Sequence, residues 1–163
     1  MAGERSLTIT WHDPHDVAAR IAGLDGLEAM RRMAAGEIPY PPITSVIAAR
    51  LVEVDAGRVV WEAEPAEHLY NPIGTVHGGF AMTLLDSAMG TAFVSTATAG
   101  TRWTTLELKA NFTRAITAET GVVRCTGTVV HRGRKVVTTE ARAEDSGDRL
   151  LAHATSTILV LDP

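Results

Sequence analysis

The sequence predicts an α+β domain in which one curved antiparallel sheet wraps around a long central helix. The first observation behind this prediction is an apolar segment at 80–93, whose apolar side chains recur at helical spacing and extend to a second flank. The second is a series of β-rich segments around it, two before the helix and four after it. Because an apolar helix of this kind has to be covered, we expect the sheet and the helix to pack as two layers.

Residues 1–42 are predicted to form an N-terminal helical appendage and a Pro-rich linker. Apolar side chains at helical spacing over 16–35 indicate one or two amphipathic helices, interrupted near the two glycines of 23–26. Three prolines follow within 37–42, where they oppose a regular helix and favour extended backbone. We therefore assign 43–163 to the main domain and expect its strands to begin directly after Pro42.

The strands of the main domain follow from alternation and turn residues. Residues 43–54 and 58–63 are predicted to form a hairpin around Gly57. After the central helix, 104–112 alternates apolar side chains on one face with polar ones on the other, Thr105 among them. The segments 121–130, 135–144 and 149–161 are joined by tight turns, which predicts an antiparallel meander.

Composition limits the class of protein. The chain has 163 residues, of which 45% are hydrophobic, enough for the core of one domain. Its formal net charge of -4 argues against a nucleic-acid-binding surface. Residues 1–14 show no signal-peptide pattern, and the longest apolar segment is interrupted by Asp86 and small polar residues. We expect a cytoplasmic protein with neither a nucleic acid nor a membrane as partner.

Cysteine and histidine give no sign of redox or metal chemistry. The single cysteine, Cys125, lies in a strand-like segment and is expected to be a small core residue rather than a nucleophile. Four of the histidines show no metal-ligand spacing: His12, His15, His68 and His153. We expect no metal site.

The segment 71–86 is the candidate active site. Gly78 and Gly79 lie where the central helix begins, so a backbone N–H there has no partner within the helix and can polarise a carbonyl group. Asp86 is the one charged side chain between His77 and Gly100. If it is buried, its pKa rises toward the range of general acids and bases. Each feature has a structural alternative. The glycines could serve only to allow a close backbone approach, and Asp86 could be a carboxylate with a purely structural role.

This pattern resembles the hotdog-fold acyl-CoA thioesterases of the PaaI-like type, which act on phenylacetyl-CoA and hydroxybenzoyl-CoA. The resemblance is carried by Asn-Pro-Ile-Gly-Thr-Val-His-Gly-Gly at 71–79, by Asp86, by Thr-Leu-Glu-Leu-Lys at 105–109 and by His-Arg-Gly-Arg-Lys at 131–135. It covers about 42–160. It implies the hotdog fold and hydrolysis of acyl-CoA thioesters, with coenzyme A as part of the substrate and no separate cofactor. It also implies a homodimer with sheets joined edge to edge and active sites shared between chains, with dimers of dimers common in the family.

The resemblance also assigns roles to single residues. Asp86 becomes the general base or the nucleophile, both of which stay open, and acts with the glycine pair of the partner subunit. Gly78 polarises the thioester, Gly79 contacts the substrate, and His77 supports them. Thr105 helps to hold the attacking water, and Thr104 replaces it if the strand register differs by one. Asn71 orients the water or the thioester, although Asn before Pro is also a common turn residue.

A basic turn is formed by Arg132, Gly133, Arg134 and Lys135. It is expected to bind the phosphates of coenzyme A, although charged turn residues are often only solvated. The N-terminal segment departs from the shortest family members and is a candidate cover for the mouth of the substrate tunnel. Two other functions stay open: hydration of an enoyl-CoA, which hotdog proteins with a different helix motif perform, and acyl-CoA binding without catalysis.

Overall fold

The computed structural model describes residues 3–162 and contains one six-stranded antiparallel sheet with a long helix against it. The helices are α1 (Pro14–Ile21), α2 (Gly26–Ala34), α3 (Pro42–Val46) and α4 (Gly78–Val94). The strands are β1 (Ala49–Asp55), β2 (Arg58–Ala63), β3 (Arg102–Phe112), β4 (Val123–Arg132), β5 (Val136–Glu144) and β6 (Leu150–Asp162). Their order across the sheet is β1-β2-β4-β5-β6-β3. The predicted α+β class, the sheet wrapped on a central helix and the β4-β5-β6 meander are confirmed.

The core lies between α4 and the concave face of the sheet. The α4 side chains Leu84, Leu85 and Met89 are fully buried, and so is Trp61 of β2. Each such side chain contributes roughly 1.5–3 kcal/mol by its removal from water. Although α4 is apolar along its length, no helix within residues 3–162 is long and apolar enough to cross a membrane.

The segment after the prolines differs from the prediction. Residues 43–46 belong to the short helix α3, and β1 begins only at Ala49. Pro42 occupies the start of α3, where a helix tolerates its fixed φ and missing N–H. The Thr44 hydroxyl donates to the Pro41 carbonyl oxygen at 2.7 Å. The prolines therefore start a helical turn here instead of leading straight into a strand.

The edge strand β3 contains a β-bulge between Thr105 and Glu107, where the pairing with β6 shifts by one residue. The predicted alternation therefore holds only after the bulge, with Leu108 and Ala110 against the core. Before it, Thr105 is half-buried and Leu106 is 56% exposed, the reverse of the expected pattern. A bulge inserts one unpaired residue, which reverses the parity of the faces on its two sides.

The two N-terminal helices form as predicted, with Gly23 at a φ of 86° between them. The start of α2 is joined to the segment after α4. Its Gly26 N–H donates to the Ala97 carbonyl oxygen at 2.9 Å, and the Asp25 carboxylate accepts from the Ala99 N–H at 2.9 Å. Buried α2 side chains, Ala29, Met30 and Met33, belong to the same hydrophobic cluster as α4. The boundary at residue 42 stays a prediction about domain organisation.

Candidate active site

Asp86 lies on the side of α4 that its own sheet leaves uncovered. Its side chain is exposed within the single chain, so the condition of burial is not met in one subunit alone. The Thr105 hydroxyl of β3 donates a hydrogen bond to Asp86 Oδ1 at 3.2 Å. The bulge causes this contact, because it turns Thr105 toward the helix while Thr104 stays exposed. The structure thus brings two of the predicted site residues together.

Of the first two backbone N–H groups of α4, one has a hydrogen-bond acceptor within residues 3–162 and the other has none. His77 is the N-cap of α4, and its Nδ1 accepts from the Gly79 N–H at 2.8 Å. Since Nδ1 accepts, the proton of the neutral ring is on Nε2. Within residues 3–162 no group accepts from the Gly78 N–H, which lies at the positive end of the helix dipole. Of the two glycines, Gly78 can therefore donate to a bound group.

Gly78 also leaves space that a side chain would take. A Cβ at this position would lie 3.2 Å from the Phe112 ring of β3, tighter than ordinary packing. The residue lies at the edge of a cleft of about 410 Å³ that Asn71, His77 and Phe112 also line. Small size at Gly78 thus keeps the approach to its N–H open.

Asn71 uses its amide within its own turn. Its Oδ1 accepts from the Ile73 N–H at 3.0 Å, and its Nδ2 donates to Thr75 Oγ1 at 3.1 Å. Its backbone N–H donates to the Thr75 carbonyl oxygen at 2.8 Å. Asn71 therefore fixes the loop that leads to His77 and Gly78, and a direct role toward a substrate stays a prediction.

The candidate residues fall into two groups within one chain. Asn71, His77 and Gly78 share one cleft, and Asp86 lies at a second one. Asp86 follows Gly78 by about two helical turns, roughly 12 Å along the axis. A carbonyl group bound at Gly78 is therefore out of reach of the Asp86 carboxylate of the same chain.

The second cleft, of about 680 Å³, is mostly apolar and lies between the N-terminal helices and α4. Its walls include Ile21, Leu24, Met30, Met33, Trp61 and Trp103. None of these residues was predicted to belong to the site. Apolar periodicity marks them as helix or strand positions, but which of them stay uncovered depends on how α1 and α2 dock.

The basic turn between β4 and β5 borders a third, shallow cleft of about 390 Å³. Arg132, Gly133 and Arg134 line it together with Thr98 and Thr101, whereas Lys135 does not. The Arg132 guanidinium lies 5.1 Å from the centre of the Phe93 ring. The Gly133 N–H donates to the Val136 carbonyl oxygen at 3.0 Å, so it closes the turn. Two arginines thus border the cleft at this end of the molecule.

Cys125 is fully buried in β4 and forms no disulfide. Burial, together with the nearby charge of Glu144, raises the pKa of its thiol far above the usual range. A thiolate is therefore disfavoured, as expected for a core residue. Across the described residues 3–162, no three His, Cys, Asp or Glu side chains form a group that could hold a metal ion.

Comparisons with known proteins identify relatives of the main domain. The sequence model of the family described as Thioesterase superfamily matches residues 73–152. The chain is 25% identical over 118 residues to the 1,4-dihydroxy-2-naphthoyl-CoA hydrolase of Listeria monocytogenes, an alignment that spans 72% of this chain and 94% of that enzyme. The matched family segment includes Gly78, Asp86, Thr105 and the basic turn.

Solved structures share the fold. A candidate thioesterase of Ralstonia eutropha JMP134, a phenylacetic acid degradation-related protein, is 29% identical with a TM-score of 0.73, over 80% of this chain and 98% of that chain. A conserved protein of Pseudomonas aeruginosa is 33% identical with a TM-score of 0.69, over 75% of this chain and 95% of that chain. The hotdog arrangement of sheet and helix is common to all of them.

Proposed function

The chain belongs to the thioesterase superfamily, and on this premise we propose that it hydrolyses an acyl-CoA thioester to coenzyme A and a carboxylic acid. Two features of the same chain carry the proposal. Asp86 has an exposed carboxylate that Thr105 holds, and the Gly78 N–H has no hydrogen-bond acceptor within residues 3–162. The first can activate a nucleophile, and the second can stabilise the oxygen of a tetrahedral intermediate.

The reaction needs both groups at one thioester. The carbonyl oxygen accepts a hydrogen bond from the Gly78 N–H. This interaction strengthens as negative charge develops on the oxygen in the transition state. Asp86 either removes a proton from water as the water attacks the acyl carbon, or attacks that carbon itself to give an anhydride that water then opens. In both routes the C–S bond breaks, and the thiolate of coenzyme A leaves and is protonated.

We further propose that each active site combines Gly78 of one subunit with the Asp86 of another. The separation of the two groups along α4 supports this, and so does the exposure of Asp86 in the single chain. The edge strand β3 offers a surface for pairing, since Leu106 is 56% exposed and Phe112 is 54% exposed. A homodimer joined through β3 would bring the two halves of the site together.

Arg132 and Arg134 are proposed to bind the phosphates of coenzyme A. Guanidinium groups form paired hydrogen bonds to phosphate oxygens, and both side chains border the same shallow cleft. That cleft shares Thr98 and Thr101 with the apolar cleft at Asp86. One extended ligand could therefore occupy both places.

The first test is thiol release from short, medium, long and aromatic acyl-CoAs by the purified protein. Thiol release with free acid as co-product is the expected result. An enoyl-CoA is assayed beside them, and its loss without release of thiol would show a hydratase instead. Stoichiometric acyl-CoA binding without turnover would show a binding protein.

The shared site has its own test, in which two inactive variants are mixed. Gly78→Pro removes the N–H, and the fixed φ of proline suits the first position of α4 after an extended His77. Gly78→Ala keeps the N–H and is the control for crowding, since its Cβ also lies close to Phe112. After unfolding and refolding together, Gly78→Pro and Asp86→Asn chains should regain about a quarter of wild-type activity, because random pairing restores one site in each mixed dimer. No recovery would show that each site lies within one chain.

A further inference from the structure

The apolar cleft at Asp86 is built partly by α1 and α2, which the proposed chemistry does not use. α1 and α2 form one wall, with Ile21, Leu24 and Met30, and α4 forms the opposite wall. The α4 wall includes two small polar residues, Ser87 and Thr91, and Gly90. A volume of about 680 Å³ falls within the range of small-molecule sites.

Two tryptophan rings give the cleft fixed aromatic walls. Trp61 Nε1 donates to Thr91 Oγ1 at 2.9 Å, which holds its ring against α4. Trp103 packs edge to face on Phe93, with ring centres 5.5 Å apart. A Cβ at Gly90 would lie 2.9 Å from the Trp103 ring, so Gly90 lets this ring lie directly on the helix. Such fixed rings reduce the entropy lost when an apolar group binds.

We propose that this cleft binds the acyl group of the substrate and that the N-terminal helices set a preference for bulky apolar acyl groups, aromatic or medium-chain, over acetyl. The inference rests on the proposed function. Asp86 borders the cleft, so a thioester carbon near this carboxylate can extend its acyl group into the cleft. Asp86 and Arg102 are the two charged residues that residues 3–162 contribute to the lining, and the other lining residues are apolar or small and polar, which suits an apolar acyl group.

The N-terminal wall is held firmly enough to act as a size limit. The Gly26 N–H and the Asp25 carboxylate tie the start of α2 to residues 97–99. Ala29, Met30 and Met33 anchor α2 in the core, and Met30 and Met33 also line the cleft. α1 follows the same wall and presents Ala18 and Ile21, one helical turn apart, to the cleft.

Ala18→Phe tests the inference, because Ala18 is exposed and lines the cleft, so a ring there fills space without disturbing the core. Its matched control is Ala19→Phe, on the same helix and exposed, but away from the cleft. We expect Ala18→Phe to lower kcat/KM about tenfold for octanoyl-CoA and benzoyl-CoA and less than about twofold for acetyl-CoA. Ala19→Phe should change none of the three values. Ile21→Ala, which enlarges the cleft, should shift the preference toward larger acyl groups.

An equal loss for all three substrates would overturn the inference, since the cleft would then hold the pantetheine arm common to them. Unchanged values in Ala18→Phe would overturn it too. Binding of the S-octyl thioether of coenzyme A, measured by titration calorimetry, separates this inference from the proposed function. Tighter binding of the thioether than of coenzyme A, lost in Ala18→Phe but kept in Ala19→Phe, supports the acyl cleft even if no thioester is hydrolysed. Equal binding of the two ligands to the wild-type protein contradicts it.

Discussion

At the scale of single residues, the Thr105 hydroxyl fixes one oxygen of the Asp86 carboxylate. A hydroxyl that donates to a carboxylate limits its rotation and leaves the second oxygen for the reaction. Thr104 is the neighbouring hydroxyl, but it is exposed, and its Oγ1 is directed to the Thr105 carbonyl oxygen at 3.4 Å. The two threonines therefore form a natural pair for comparison.

Thr105→Val should lower kcat about tenfold with little change in KM, since the carboxylate keeps its charge and loses its orientation. Thr104→Val, the same change one residue away, should leave kcat within about twofold. Steady-state kinetics on one acyl-CoA measures both. Equal effects of the two variants would show that the hydrogen bond from Thr105 to Asp86 does not contribute to catalysis.

The sequence identifies most single residues of the candidate site, but not their surroundings. Gly78 and Asp86 stand out as part of a glycine pair and as a lone carboxylate in an apolar helix, whereas Thr105 is indicated by the family resemblance. That Thr105 faces Asp86 could not be predicted in the same way. The contact depends on a one-residue bulge, and no residue in this strand marks the position of the bulge in the sequence.

At the scale of elements, α2 is held at its start by a glycine that admits no side chain. A Cβ on Gly26 would overlap the Val94 carbonyl group of α4. Gly26→Ala should therefore move α2 and destabilise the fold by roughly 1–3 kcal/mol, which lowers Tm by several degrees in a domain of this size. Thermal unfolding followed by circular dichroism tests this. An unchanged or higher Tm, as helix propensity alone would give, would show that α2 is not packed against α4.

The basic turn should act on substrate binding rather than on chemistry. Replacing both Arg132 and Arg134 by Gln should raise KM for acyl-CoA and leave kcat nearly unchanged, because the charges contact phosphates far from the thioester. Replacing Lys135, which does not line the cleft, is the internal control. Equal KM values for all three proteins would mean that the turn is only solvated.

Helices and strands themselves were largely predictable, because their apolar periodicity is strong. The exception is 43–46, where the residues are β-prone but Pro42 starts a helix. Ala48, with a φ of 49°, then separates α3 from β1, a backbone state that no local pattern indicates for alanine. The apolar cleft could not be predicted from the sequence for a different reason, because it depends on the tertiary contact between α2 and α4.

At the scale of the whole molecule, the Asp145 carboxyl in the β5–β6 turn makes the stability of the fold depend on pH. Asp145 is buried, which raises its pKa, but the N–H groups of Arg149 and Gly147 and the Arg149 guanidinium lower it by more. A carboxyl whose pKa is lower in the folded state stabilises the fold above its unfolded value of about 3.9. This contribution is lost as the pH falls through the folded pKa.

The Tm difference between the wild type and Asp145→Asn should therefore be largest near neutral pH and shrink below about pH 4. Calorimetric scans from pH 7 to pH 3 measure it. A difference that stays constant over this interval would mean that the Asp145 charge does not stabilise the turn.

Across two subunits, the proposed hydrolysis depends on Asp86 more than on any other residue. The most direct measurement is kcat of Asp86→Asn beside Glu107→Gln, whose exposed carboxylate also accepts from a threonine, Thr157, at 2.6 Å. We expect a loss of about 10²–10⁴ in kcat for Asp86→Asn, with Tm unchanged and Glu107→Gln near the wild-type rate. A near-normal kcat in Asp86→Asn would contradict it.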